Sequence, residues 1–199
     1  MSLIPYMFSQ NIEAGVDEAG RGALAGPVVA AAVILPKGFS HPDLNDSKKL
    51  SVEKRRSLEK IILAETFWAI GEADAAYIDR MNILRATFFA MHQALDALSI
   101  KPERLLIDGN RFIPYQNIDF FCVIKGDGKY QSIAAASILA KNHRDRLLER
   151  KALDYPLYQW EENKGYGTKT HIEKIQAHGI CTYHRKSFCL EFSPKQYLF

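Results

Sequence analysis

Cysteine is scarce: Cys122, Cys181 and Cys189 are the only three in 199 residues, and no two form a Cys-x-x-Cys pair. An odd, scattered set argues against a disulfide framework and fits a reducing compartment. Long apolar runs are missing too, so no segment reaches the length of a bilayer-spanning helix. The opening Met1-Ser2-Leu3-Ile4-Pro5-Tyr6-Met7 has neither a charged start nor a sustained apolar stretch, so no secretory leader is read. No repeat and no low-complexity linker interrupts the chain. Charge of one sign is not in excess, since 26 Lys and Arg against 23 Asp and Glu leave a net +3. That mild basic balance permits a polyanionic partner without requiring one. The expectation is a cytoplasmic protein without a membrane segment, monomeric for want of a dimer stripe.

What is present suffices for one core. Hydrophobic residues make up 47% of the chain, and its length fits a single domain over 1–199. Strands are expected near 11–18, 27–35, 66–74, 104–108 and 118–124. Ser51, with Glu53 behind it, reads as the N-cap of a helix. From Asn82, the apolar positions Leu84, Phe88, Met91, Leu95 and Leu98 recur at helical spacing and mark a core-facing stripe. An Ala-rich helix over about 130–152 and another from Thr168 to Ala177, closed by Gly179, complete a helical C-terminal portion. Strands first, then alternation, imply an α/β fold with a mixed central β-sheet flanked by helices.

Chemistry concentrates in Val16-Asp17-Glu18-Ala19-Gly20-Arg21-Gly22. Burying two adjacent carboxylates without a counter-charge costs several kcal/mol or forces protonation, and a divalent cation removes that cost. The glycines let backbone approach a ligand closely. Alone, the segment reads equally well as a polar strand end entering a turn. Asp108, after Leu105-Leu106-Ile107, and Asp127, within Lys125-Gly126-Asp127-Gly128, also close apolar strands. Each on its own is a turn signal, yet strand ends of an α/β sheet feed the crevice where ligands bind. Together the four acids favour a site. Because neighbouring strand residues face opposite sides, the pleat is expected to break at Glu18. Oxygen ligands suit Mg²⁺ or Mn²⁺. His171, His178 and His184 are spaced too widely for zinc and read as surface or packing residues. Gly20 to Gly26 misses the dinucleotide pattern by one residue and leads into a strand, and no Walker A segment is present.

Asp17-Glu18-Ala19-Gly20-Arg21-Gly22, Asp46-Ser47-Lys48-Lys49-Leu50, Asp108-Gly109-Asn110, Lys125-Gly126-Asp127, Ala134-Ala135-Ala136-Ser137-Ile138-Leu139-Ala140-Lys141, Gly165-Tyr166-Gly167-Thr168 and His184-Arg185-Lys186-Ser187-Phe188 together resemble the ribonuclease HII family. The likeness spans about 11–190. It implies the ribonuclease H-like fold, hydrolysis of RNA in RNA/DNA hybrids, incision at ribonucleotides within duplex DNA, and Mn²⁺ or Mg²⁺ as cofactor. Asp17, Glu18, Asp108 and Asp127 match the family's metal-binding catalytic acids, with Asp17 the candidate bridge between two ions. Gly20, Arg21 and Gly22 match the segment that senses the 2′-hydroxyl, and Tyr166 the ring that stacks at the following deoxyribose. Lys48, Lys49 and Arg185 fall in motifs expected to track phosphates, alongside Lys125, Lys129, Lys141 and Lys164. The related ribonuclease HIII type carries an extra N-terminal domain, for which ten residues before the first strand leave no room, and usually a Glu at the position of Asp127. The tail Pro194-Lys195-Gln196-Tyr197-Leu198-Phe199 faintly resembles peptides that dock on sliding clamps.

Overall fold

The computed structural model describes residues 3–8 and 12–189, so the clamp-like tail lies outside the described residues. Five strands form one sheet: β1 (Glu13–Ala19), β2 (Val28–Ile34), β3 (Phe67–Ala73), β4 (Arg104–Asp108) and β5 (Asp119–Val123). Their order is β3-β2-β1-β4-β5. The β3-β2-β1 half is antiparallel, whereas β4 and β5 run parallel to β1. The α/β architecture with a mixed sheet is thus as expected. Every residue of β2 is buried, as a strand covered on both faces requires.

Helix α1 (Val52–Glu65) starts at Ser51, whose hydroxyl accepts from the Lys54 N–H. Between β3 and the predicted helix at Asn82 lies an additional helix, α2 (Ala75–Met81), capped by Asp74. Asn82 sits at φ 68° and caps α3 (Ile83–Asp96) through the N–H groups of Leu84 and Arg85. That left-handed residue is the hinge separating the two helices. Helix α4 (Gln131–Asp154) is the molecule's spine, with residues 131–140 all buried. Helices α5 (Trp160–Asn163), α6 (Lys169–His178) and α7 (Lys186–Cys189) follow.

Two cores sandwich the sheet. Ala14, Val16, Ala30 and Ala32 face α3, while Ala19, Val29, Ala31 and Val33 face α4 and α1. Small residues let α4 press on the sheet: a Cβ at Gly15 would lie 2.3 Å from the Ser132 carbonyl carbon. A third cluster packs Leu24, Ala25 and Leu148 against Trp160, Ile175 and Cys189, which fixes the C-terminal helices to the chain following β1.

Candidate active site

Parallel pairing of β1 with β4 ends at the rung Val16↔Ile107, so the next residues, Asp17 and Asp108, stand side by side at the same strand ends. Beyond β5, Lys125 turns left-handed at φ 56° and starts a single 3-10 turn, Gly126–Gly128. The Gly126 N–H donates to Asp108 Oδ1 at 2.7 Å, bringing Asp127 next to Asp108. Four acids from three separate stretches of the sequence therefore gather at one end of the neighbouring strands β1, β4 and β5.

One expectation about the acid pair is corrected. The pleat does not break at Glu18, because β1 keeps a regular ladder with β2 through Asp17↔Ala31, Glu18↔Ala30 and Ala19↔Val29. Asp17 therefore leaves the α4 face and Glu18 the α3 face. Their carboxylates meet electrostatically at the strand end, which no kink is needed to achieve.

The electrostatics show crowded negative charge that Arg21 and Lys48 offset only in part. Asp17 is buried, and its carboxyl is held well above the usual range by burial and then by Glu18 and Asp108, with a smaller push from Asp127. Burial raises Glu18 as well, opposed by Arg21, whose Nη1 lies 3.3 Å from Glu18 Oε1. Asp127 is pushed up to about 6 by burial, Asp108 and Asp46. Asp46 is a fifth acid that the sequence reading did not place in the site. It caps the short turn Ser47–Lys49 through the Lys48 N–H. Burial works against the Lys48 ammonium, but Asp17, Asp46, Asp127 and Asp108 outweigh it and raise its pKa.

Two cavities flank Glu18 and Arg21. One, of about 320 Å³, is lined also by Thr87, Asp108 and Asn110. The other, of about 450 Å³, is bounded by Gly20, Gly22, Lys48, Ser137, Lys141 and Tyr166. The Tyr166 ring lies 5.8 Å from Lys141 Nζ and 5.2 Å from the Arg144 guanidinium carbon. Lys49 is exposed, with its Nζ on the Gly128 side of the acids.

Arg185 requires a second correction. It is fully buried, so it has no surface with which to track a phosphate. Its three nitrogens donate instead to the carbonyls of Gly20, Arg21 and Gly26 at 2.8, 2.9 and 3.0 Å. Arg144, also fully buried, holds the carbonyls of Ala25, Pro27 and Lys164. His171 and His184 are buried packing residues, joined Nε2 to Nε2 at 3.1 Å, and His171 Nδ1 donates to the Tyr166 carbonyl. Only His178 of the three is exposed.

The donor set is oxygen-only and suits a hard divalent cation rather than zinc. As the side chains lie, no three Asp, Glu, His or Cys among the described residues enclose one ion position. The fit rests on the donors' chemistry and on their mutual repulsion.

A mixed sheet with carboxylates at its central strand ends, beside basic groups and a glycine-flanked loop, defines an enzyme of the ribonuclease H-like fold. The sequence profile of ribonuclease HII matches residues 14–191. A ribonuclease HII of Parabacteroides distasonis is 58% identical over 189 residues, covering 94% of this chain and 95% of its own. Among solved structures, the ribonuclease H2 of Pyrococcus horikoshii superposes with a TM-score of 0.74 at 25% identity, covering 90% of this chain and 96% of that one. The ribonuclease HII of the PCNA complex from Archaeoglobus fulgidus gives 0.68 at 26% identity, covering 87% and 93%. The chain belongs to the ribonuclease HII family, and is a ribonuclease H enzyme.

Proposed function

We propose that this enzyme cuts the RNA strand of RNA/DNA hybrids endonucleolytically, and incises duplex DNA at embedded ribonucleotides, leaving 5′-phosphate and 3′-hydroxyl ends. The observation that carries this reading is Asp17: buried, and repelled by Glu18, Asp108 and Asp127 at once. Folding alone does not favour such a cluster, whereas cation binding does. Asp17, Glu18, Asp108 and Asp127 would hold Mg²⁺ or Mn²⁺. Held there, such ions would supply an activated water and neutralise developing charge.

The protein's own groups supply orientation. Gly20-Arg21-Gly22 offers backbone at close range to a 2′-hydroxyl, which both donates and accepts. Tyr166 closes the same cavity, where its ring can lie against a sugar. Lys48, Lys49, Lys125 and Lys129 border the acids and meet phosphates. A cytoplasmic monomer is the proposed working form. Docking on a sliding clamp through 194–199 is a weaker proposal, supported by the PCNA complex of the Archaeoglobus fulgidus relative.

The test is cleavage of matched RNA/DNA, RNA/RNA and DNA/DNA duplexes with and without Mn²⁺ or Mg²⁺. Metal-dependent cleavage confined to ribonucleotide-containing strands paired with DNA supports the reading. Equal cleavage of all-DNA duplex would replace it with a general nuclease of the same fold.

A further inference from the structure

We infer that Arg185 is a positioning residue that aims two main-chain N–H groups, those of Arg21 and Gly22, at the substrate without touching it. This rests on the hybrid-cleaving reading above and adds a cause for how its recognition segment is held.

The argument begins with peptide geometry. In a planar trans peptide the C=O and the N–H of one unit point in opposite directions, and no cis peptide occurs among the described residues. Arg185 Nη2 holds the Gly20 carbonyl and Nη1 the Arg21 carbonyl, both turned inward. The N–H groups sharing those units belong to Arg21 and Gly22. They must therefore point outward, and neither has a hydrogen-bond partner among the described residues. Both residues are exposed and line the 450 Å³ cavity beside Tyr166 and Lys48. Two successive outward amides form a concave donor pair of the kind that accepts an anion or a hydroxyl oxygen.

The surroundings fit that use. A Cβ at Gly22 would meet nothing within 4 Å, so the space beside its α-carbon is open. Gly20 has φ +92°, and a Cβ there would run into the Arg144 side chain. Arg185 forms no ion pair with a carboxylate among the described residues. Burial, together with the Arg144 guanidinium, pushes it down to about 9, which leaves it charged at neutral pH. Its compensation is the three carbonyls and the Phe188 ring, 5.2 Å from the guanidinium carbon, and burying a cation with no carboxylate partner is costly. Lysine cannot substitute, because one ammonium lacks the planar fork that spans two adjacent carbonyls.

Amide hydrogen exchange on the wild-type protein tests the orientation directly. The Arg21 and Gly22 N–H groups should exchange rapidly in the free protein. In the absence of divalent cation, they should slow by roughly tenfold or more with a DNA duplex carrying one ribonucleotide, and change little with the all-DNA duplex of the same sequence. Arg185→Lys, which leaves buried carbonyls unpaired and so lowers the melting temperature, should still be folded at the assay temperature, keep its Mn²⁺ affinity and lower the affinity ratio between those two duplexes by roughly tenfold. Slow exchange of both amides in the free protein would overturn the inference, as would an unchanged ratio in folded Arg185→Lys. Wild-type protein that cleaves no hybrid would instead overturn the reading of the reaction, and exchange in the free protein decides the role of Arg185 in either event.

Discussion

The N–H of Gly126 donates to Asp108 Oδ1 at 2.7 Å, and this single bond ties the turn carrying Asp127 to the end of the strand carrying Asp108. It explains how acids 19 positions apart (127 − 108) occupy one site. Asp108 at the same time lines the cavity it shares with Glu18.

Removing one charge from the cluster separates stability from activity. Asp17→Asn relieves repulsion from Glu18, Asp108 and Asp127. The metal-free variant should melt a few degrees above wild type, at roughly 2–4 °C per kcal/mol for a chain of this size. Its cleavage should fall to background, and so should that of Asp108→Asn. A melting scan paired with a cleavage assay reads both effects, and near-wild-type turnover by either variant would remove the acids' assignment.

Tyr166 should act through its ring. Tyr166→Ala should lose preference for a lone ribonucleotide at its junction with DNA, whereas Tyr166→Phe should keep most of it. Cleavage-rate ratios for single-ribonucleotide against long-hybrid substrates measure this. Equal losses in both variants would assign recognition to the hydroxyl instead.

His184 predicts a pH dependence of stability. Burial and then the neighbouring His171 push its pKa down to about 4, from 6.5 in the unfolded chain. As pH falls, the unfolded state takes up the proton first, so the stability present above pH 6.5 is lost progressively towards pH 4. The loss amounts to about 3 kcal/mol at most. Asp17, Glu18 and Asp127, with raised pKa values, gain stability over the same range. The His184 share is therefore read as the difference between wild type and His184→Gln in denaturant unfolding at those pH values, and equal pH dependence in the two proteins would contradict it.

Salt should weaken substrate binding steeply. If Lys48, Lys49, Lys125 and Lys129 each neutralise one phosphate, affinity falls roughly a hundredfold between about 50 and about 200 mM salt. Titration of a labelled hybrid in metal-free buffer checks this, and a flat salt response would place the duplex elsewhere.

Much of this was legible because the signals were local. Ser51, Asn82 and Thr168 each cap the helix the sequence assigned to them. The apolar runs gave β4, which ends on Asp108, and β5, although Asp127 does not close that strand but sits in the 3-10 turn beyond it. The convergence of those acids was an inference from strand ends, and the β1–β4 register accounts for it. Arg185 was misread because a surface role is the ordinary fate of arginine, and its three carbonyl partners lie some 160 positions away. Arg144 went unremarked for the same reason. The regular pleat at Glu18 was hidden because the glycines that suggested a break, Gly20 and Gly22, act only after β1 ends at Ala19, in the loop.

The most direct test of the central claim is product mapping on duplex DNA containing one ribonucleotide, with Mn²⁺ or Mg²⁺ added to metal-stripped enzyme. The account predicts one metal-dependent incision at the ribonucleotide, with 5′-phosphate and 3′-hydroxyl ends. Incision without metal, or at sites indifferent to the ribonucleotide, would contradict it.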